Sequence, residues 1–552
     1  NLERFEGMRV QVNSLTCIAP TAGTINEATA TATSNGYFYG VITGTPRPFR
    51  EAGVQLPDVL PAGAPANVPR WDANPEILGI DTRAQTGSVA LNVATGAVLT
   101  SITGPLDYTR RYYTIIMDPA PLPAISNNNP TFTMVPAAKS GEVSIASMNM
   151  QRFFDNVNDP AITEPVLSTT AYNNRLNKAS LAVRNVLNYP DVIGVAEVEN
   201  LATLQAIATK INTDATAAAQ PDPMYQAYLV EGNDFGGIDV GFLVKSSTIT
   251  TLSVTQFGKL DTYVKPNDGL PEITFDRPPL VLQANTTKAG CTTPTSFTVV
   301  INHLRSLNGI ADATEGPRVR AKRKAQAEYL ANFLQSRQST NPSEKIICLG
   351  DFNAYPFNDG YVDVVGTIKG TPAPADQVVA ASAKLVNPNL INLMDSLSAT
   401  ERYTYLFSGS AQVLDHIMVT ESFKSQVSGY AVARLGADFP QIFFGESNRP
   451  ERLTDHDVPV AFFNFLCTRP STATDYFRTR TSGNWNSIAT WESSPDNISW
   501  QAATLTPDFN ANAITIQNGH SVVVSTPVTV NKLTIKPGGS VLVDSGIKFT
   551  VE

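Results

Sequence analysis

Five strand-length apolar runs in the middle of this chain meet a side chain able to do chemistry at one end, and that pattern restricts the fold more than any other feature. The run Ile346-Ile347-Cys348-Leu349 is too short for a confident helix and reads as a buried strand. It stops at Gly350, and Asp351 and Asn353 follow at a spacing that can put both on one side of an extended backbone. Alone, the stretch reads equally well as a strand closed by an Asx turn. It has company. Residues 143–149 end in Asn149, 191–197 in Glu197 and 297–303 in His303, while Asp455-His456 leads into the apolar run 458–463. Helical spacing over 172–188, with Leu176, Ala179, Val183, Val186 and Leu187 on one face, and again over 318–334, alternates with these runs. Strands alternating with helices predict an α/β or α+β domain over 141–467, its sheets covered by helices.

The flanks read differently. At 552 residues the chain is too long for one core, which predicts about three domains. Residues 1–118 carry short strand-like runs at 8–12, 36–42 and 112–116 between Pro- and Gly-rich loops, and predict a β-barrel or sandwich accessory domain. Residues 119–140, rich in Pro and Asn, predict a linker. After Pro470 the chain turns polar and strand-rich. Residues 515–524 match 534–543 at a period of 19, with glycine turns and Val-rich strands, which predicts rungs of a β-solenoid within 470–552. Two rungs bury little core, so the native chain is expected to run on past Glu552.

Composition narrows the function classes. The chain is 42% hydrophobic and 16% charged, which fits a strand-rich, loop-heavy secreted protein better than a helical cytosolic one. A net charge of −9 gives no overall basic footprint for nucleic acid, although a local basic groove is compatible with it. No apolar run reaches the roughly 18 residues of a membrane span. Residue 1 is Asn, and no charged-then-apolar leader follows, so the chain is expected to begin after a signal peptide or inside a longer precursor. The four cysteines lack zinc-type spacing. Cys348, inside an apolar run, is expected as a buried thiol, and Cys291 with Cys467 is the first pair to consider for a disulfide.

Of the four histidines, His303, His416 and His456 sit beside apolar runs of the central domain, whereas His520, next to Gly519, reads as a turn residue. Two histidines can share general-base and general-acid duty near neutral pH, with carboxylates to fix their tautomers. Carboxylate and amide oxygens suit Mg²⁺ or Ca²⁺ better than zinc. Asn and Arg donors suit a phosphate whose charge grows on attack. Together these residue types describe metal-assisted hydrolysis of a phosphate ester.

Eight fragments now stand in order: 145–149, 196–200, Gly237-Ile238-Asp239-Val240, Arg277-Pro278-Pro279-Leu280, 302–306, Gly350-Asp351-Phe352-Asn353, Leu414-Asp415-His416 and Thr454-Asp455-His456. In that order they resemble the endonuclease/exonuclease/phosphatase superfamily, the DNase I-like fold, over 141–467. More weakly, 1–118 resembles the accessory domain of bacterial extracellular nucleases of this superfamily. The resemblance implies a four-layer sandwich, two packed β-sheets flanked by helices. It implies Glu197 as the principal divalent-metal ligand, with Asn149 and Asp455 near metal and phosphate. His303, held by Asp239, and His456, held by Asp415, would be the acid/base pair. Asp351 and Asn353 would orient water and phosphate, and Arg277 would touch a phosphate oxygen unless it forms a loop salt bridge. Glu199 takes a capping or supporting role, and His416 supports the site. Tyr405 flanks the groove or packs in the core, and Asp457 is a more remote carboxylate or a solvated one.

The function expected is a secreted, divalent-metal-dependent phosphodiesterase that hydrolyses DNA, with RNA as a second substrate, by in-line attack of water on phosphorus. Mg²⁺ is the expected cofactor, with Ca²⁺ and Mn²⁺ as alternatives. Lys322, Arg323 and Lys324 are candidates for contact with a phosphate backbone, against the plainer reading of a solvated helix face. A phosphatase or phospholipid phosphodiesterase would keep the same chemistry, and a catalytically inactive surface-binding protein is the reading from another class. The expected location is extracellular or on a bacterial cell surface, with the carboxyl-terminal module binding surface or polymer.

Overall fold

A computed structural model describes residues 2–286, 294–465, 470–498 and 500–552. Cys291 and Cys467, and with them the expected disulfide, lie outside the described residues. Cys17 and Cys348 are free, buried thiols. Two units result, one of residues 1–286 and 296–464, the other of residues 287–295 and 465–552.

In the first unit, β1 (Arg9–Ala19), β2 (Tyr37–Ile42), β3 (Leu78–Asp81), β4 (Val98–Thr109) and β5 (Tyr112–Ile116) pair in the ring order β1-β2-β3-β5-β4-β1. Every pair is antiparallel except β3 with β5. The ring encloses Leu15, Phe38, Ile80, Leu99, Ile102 and Ile115. The Pro- and Asn-rich segment 119–140 is held along its course: Ala124–Ser126 pairs with β4, Thr133 bridges Arg434, and Val135 is buried in the core beyond.

Two six-stranded sheets follow. The first is built from β6 (Glu142–Phe153), β7 (Val192–Val198), β8 (Tyr225–Leu229), β9 (Asp239–Lys245), β18 (Val427–Ala433) and β19 (Val458–Asn464), in the order β8-β9-β7-β6-β19-β18. The second is built from β10 (Ile249–Gln256), β11 (Leu280–Thr286), β12 (Thr295–His303), β13 (Ile346–Asp351), β14 (Ile391–Asn392) and β17 (Asp415–Val419), in the order β10-β11-β12-β13-β17-β14. Between β14 and β17 the pair β15 (Tyr405–Phe407) and β16 (Ser410–Gln412) forms a separate hairpin. Helices α1 (Thr169–Leu181) and α2 (Leu201–Ala217) cover the outer face of the first sheet, through Ala179, Leu204, Ile207 and Ile211 against Ile193 and Val195. Helices α3 (Gly316–Thr340) and α4 (Val364–Lys369) cover the second, through Val319, Leu330, Leu334 and Ile368 against Val300, Ile346 and Cys348.

The inner faces meet directly. A Cβ on Gly194 of β7 would lie 2.5 Å from a Leu349 methyl of β13, so a larger residue there would have to displace that side chain. Strand β13 therefore sends Ile346 and Cys348 toward the helices and Leu349 toward the other sheet. With both faces covered, no position in the run is left for a polar residue.

Helix α1 carries a polar clamp. Buried Lys178 donates to the carbonyls of Phe443, Glu446, Arg449 and Glu451 at 2.7–3.0 Å and so anchors the segment leading to Asp455. Lys178→Met would leave these carbonyls without their donor, and we expect a loss of about 2–4 kcal/mol in urea unfolding. An unchanged midpoint would show that the clamp contributes nothing.

In the second unit, the 19-residue repeat pairs in register as parallel strands, Thr515 opposite Thr534 and Val522 opposite Val541. Among the described residues three layers of parallel strands pair rather than two. Tyr476–Thr479 and Gly483–Asn484 pair parallel with Ala513–Ile516 and Ser521–Val524 from the preceding side. This extra layer, with buried Trp485 and Trp491, closes a core around Ile514, Ile516, Val522 and Val524 that two rungs would leave open. The sequence hides it because the inserted segment 485–512 breaks the period.

Candidate active site

Register brings the chemistry together. On neighbouring strands of the second sheet, His303 lies opposite Asp351, and Asp351 opposite Asp415. Gly350 makes this approach: its φ is 137°, and a Cβ there would fall 1.9 Å from the Asn302 carbonyl oxygen. From the facing sheet, Asn149 of β6 pairs with Ala196 of β7, next to Glu197. Strand β7 shifts register between Ala196 and Val198, so Glu197 is bulged out with φ 62°. Gln151, Arg152 and Asn353 also have left-handed backbones, at 49°, 50° and 48°. Left-handed non-glycine residues are uncommon and cluster at functional sites. Here all four line one cavity of about 1190 Å³, with His303, Asp351, Tyr405, Asp455 and His456.

Asp351 sits at its centre. Its Oδ2 is 3.7 Å from His303 Nε2, 4.0 Å from His456 Nε2 and 3.1 Å from the Asn149 amide nitrogen, while its Oδ1 accepts the Asn353 N–H at 2.7 Å. Glu197 Oε1 lies 3.7 Å from His303 Nε2, and its Oε2 accepts the Arg152 N–H at 2.9 Å. Asp415 accepts from His456 Nδ1 at 2.7 Å. The two imidazoles are driven apart. Burial first, then the charges of Arg277 and His456, hold His303 well below the usual histidine range. Burial also works against charge on His456, but Asp415, then Asp351 and Asp455, outweigh it and hold that ring well above the usual range. Burial foremost, with Asp415 and Glu197 adding to it against the pull of His456, pushes Asp351 up to about 7.

Several expected roles change. Asp239 does not hold His303: its Oδ1 and His303 Nδ1 are both buried and without a hydrogen-bond partner among the described residues. Burial, then Glu231 and Asp234, push Asp239 up to about 8, so it is a poor anionic partner. Asn149 is not placed as an oxygen ligand. Its Oδ1 accepts the Gln151 N–H, which turns the amide nitrogen toward Glu197 at 3.0 Å and Asp351. Arg277 forms the loop salt bridge, to Asp234 at 2.5 Å, and also donates to the carbonyls of His303 and Leu304, so it steadies the end of β12 from the cavity wall. Asn353 donates to the Leu304 carbonyl at 3.1 Å.

Neither Lys322 nor Arg323 offers a solvated face or a phosphate contact. Both are buried, Lys322 on Glu272 and Asp276, Arg323 on the carbonyls of Arg305 and Asn353, where it holds the Asp351–Asn353 turn. Lys324 faces Glu328. His416 is buried behind the site, with Nε2 on the Ala354 carbonyl and Nδ1 on Asn392. Glu199 accepts from the Asp155 N–H and the Asn200 amide. Asp457 is buried, not solvated, on Arg434 and the N–H groups of Leu435, Gly436 and Ala437.

Tyr405 is closer to the chemistry than its sequence context suggests. Its ring centroid lies 4.8 Å from that of His456, and Asp455 foremost, then burial, push its hydroxyl up, so it stays a neutral donor. Tyr405→Phe keeps the ring and should leave turnover nearly unchanged, whereas Tyr405→Ala removes the surface on which His456 rests and should lower kcat about tenfold. Equal effects of the two substitutions in a steady-state assay would contradict this division.

Two groups of donors lie close enough to hold a cation: Glu197 with His303 and Asp351, and Asp351 with Asp415 and His456, each within 4.8 Å. In the second, Asp415 and His456 already bind each other. The first offers two carboxylates beside a neutral imidazole, a set that fits a hard divalent cation. Asp455 lines the cavity but joins neither group.

Among the described residues no helix is long and apolar enough to cross a membrane. No curated protein matches this sequence. The chain is similar in fold to the human nocturnin catalytic domain with bound sulfate (14% identity, 60% of this chain and 97% of that one, TM-score 0.37). It is likewise similar to an endonuclease/exonuclease/phosphatase from Bacteroides vulgatus (14%, 58% and 98%, 0.35). A third likeness is to D. rerio TDP2 complexed with a single-strand DNA product (16%, 58% and 99%, 0.34). Residues 2–127 match a family described as a domain of unknown function. Residues 144–444, more than half the chain, match the model of the Endonuclease/Exonuclease/phosphatase family, and the chain belongs to that family.

Proposed function

We propose that this chain is a divalent-metal-dependent phosphodiesterase acting on nucleic acid, DNA first, with its reaction centred on Asp351. The observation that carries the reading is one carboxylate flanked, at 3.7 and 4.0 Å, by two histidines that environment drives to opposite protonation states. Such a pair divides base from acid. His303, neutral, accepts a proton from the attacking water. Asp351, between the rings, orients that water and is itself fixed by the Asn149 amide and the Asn353 N–H. His456, cationic on Asp415, donates to the leaving oxygen. Glu197, set by its bulge and by Arg152, would hold a divalent cation with Asp351, and Asp455 lies beside His456 and Tyr405. When bound, a Mg²⁺ ion would supply neutralisation of the phosphate's non-bridging oxygens.

The test is hydrolysis of plasmid DNA, bis(p-nitrophenyl) phosphate, a phosphomonoester and a choline phospholipid, each with Mg²⁺ and with chelator. Loss of DNA and of the small diester, abolished by chelator, is the expected result. Release from the monoester or the phospholipid without DNA loss would overturn the substrate assignment.

A further inference from the structure

Beside the active-site cavity lies a second one of about 340 Å³. Arg111, Leu307, Tyr355, Phe407 and Gln412 line both, so a chain leaving the first enters the second. The reaction described above makes no use of it. Its far wall comes from the amino-terminal barrel: Arg50 and Trp71 from the β2–β3 connection, Arg110 and Arg111 from the β4–β5 turn. That turn is two residues with φ of 52° and 70°, as a tight hairpin requires. The β2–β3 connection is tied to the β15–β16 hairpin, because the Arg50 N–H donates to the Ala411 carbonyl and the Ala411 N–H to that of Pro48, at 2.9 and 3.0 Å.

Three donors in this cavity lack a partner among the described residues: Arg50 Nη1, Trp71 Nε1 and the Tyr361 hydroxyl. Trp71 is 3% and Tyr361 5% exposed, so water reaches neither freely. Buried donors without acceptors are costly, which points to a ligand that brings acceptors. The Arg50 guanidinium is flanked by the rings of Trp71 and Tyr355, at 4.3 and 4.6 Å. Phe407, 59% exposed, stands on the rim that the two cavities share. Asp58 and Asp359 also line the space, but Asp58 is paired with Arg111 at 2.8 Å and Asp359 faces Arg323 at 3.6 Å. Cationic donors for a phosphate beside an open ring for a base are the two halves of single-strand recognition. The barrel agrees independently. Its ring order β1-β2-β3-β5-β4-β1, with β3 parallel to β5, is that of the OB fold, whose loop between the fourth and fifth strands contacts oligonucleotides. Here that loop is Arg110-Arg111.

We infer that the amino-terminal barrel and the β15–β16 hairpin form a nucleotide subsite for single-stranded DNA, holding the strand beyond the point of cleavage. The inference rests on the phosphodiesterase reading for its substrate, and the test separates the two. Binding of a fluorescein-labelled single-stranded oligonucleotide of a dozen residues is measured by anisotropy in chelator, for the full chain and for Arg110→Gln and Tyr361→Phe, two residues that line only the second cavity. Hydrolysis of bis(p-nitrophenyl) phosphate with Mg²⁺ is measured on the same proteins. Each variant is expected to bind the oligonucleotide about tenfold more weakly and to hydrolyse the small diester like the parent. Parental affinity in both variants overturns the subsite, and so does an equal loss on the small diester, which marks damage to the catalytic cavity. If the variants weaken binding but no diester is ever hydrolysed, the subsite stands and the phosphodiesterase reading fails.

Discussion

Replacing His303 with alanine is expected to lower kcat on bis(p-nitrophenyl) phosphate by about 10²–10⁴-fold, the usual span for loss of a positioned proton-transfer group. The ring is 4% exposed, its Nε2 stands 3.7 Å from both Glu197 and Asp351, and its surroundings keep it neutral. No other neutral imidazole faces the cavity, since His416 is turned away onto Ala354 and Asn392. Because His303 makes no hydrogen bond through Nδ1, the substitution should disturb folding less than it disturbs turnover. Circular dichroism and thermal unfolding near the parent, with kcat collapsed, is the expected pair of results. A folded variant within a few-fold of parental turnover would sink the assignment.

Asp415→Asn is the second large effect. Asp415 is fully buried and binds His456 Nδ1 at 2.7 Å. The amide keeps the shape and loses the charge, so the imidazolium is no longer favoured and the ring can adopt the wrong tautomer. A fall of about 10³–10⁴ in kcat with little change in KM is expected, the size seen when a buried carboxylate behind a catalytic histidine is made neutral. The pair also leaves a mark on stability. Folded His456 has a pKa raised above its unfolded value. Its contribution is therefore fully present below the unfolded pKa, about 6.5, and is lost as pH rises through the folded one. In chelator, the stability difference between parent and Asp415→Asn should be largest on the acid side and shrink as pH rises. A difference that grows with pH would contradict the pairing.

Much of this site was legible because chemistry sits where apolar runs stop. Glu197, His303, Asp351, Asp455 and His456 line one cavity, with Asn149 bonded to Glu197 and Asp351, and each stands at the edge of a largely apolar run. The His456–Asp415 pair was also readable, from the order of motifs. What failed was orientation. The resemblance pairs Asp239 with His303, yet burial foremost, with Glu231 and Asp234 adding to it, leaves Asp239 without the charge that pairing needs. Asn149 has one oxygen and one nitrogen to present, and only the Gln151 N–H decides which faces the carboxylates. Lys322 and Arg323 looked like a surface stripe because helical spacing does not say which side another loop will cover.

The sequence by itself determined the alternation of strands and helices, the two-faced burial of runs such as 346–349, and the residue types for metal-assisted phosphate chemistry. These are local or compositional properties, carried by periodicity and by which side chains can ionise or donate. Only the tertiary structure decided that Asp351 is the centre, that the two histidines differ in charge, and that the amino-terminal barrel reaches the rim of the site. Protonation depends on burial and on charges brought in from distant strands, and a shared cavity wall depends on how separate elements pack. Neither is written in any one stretch of residues.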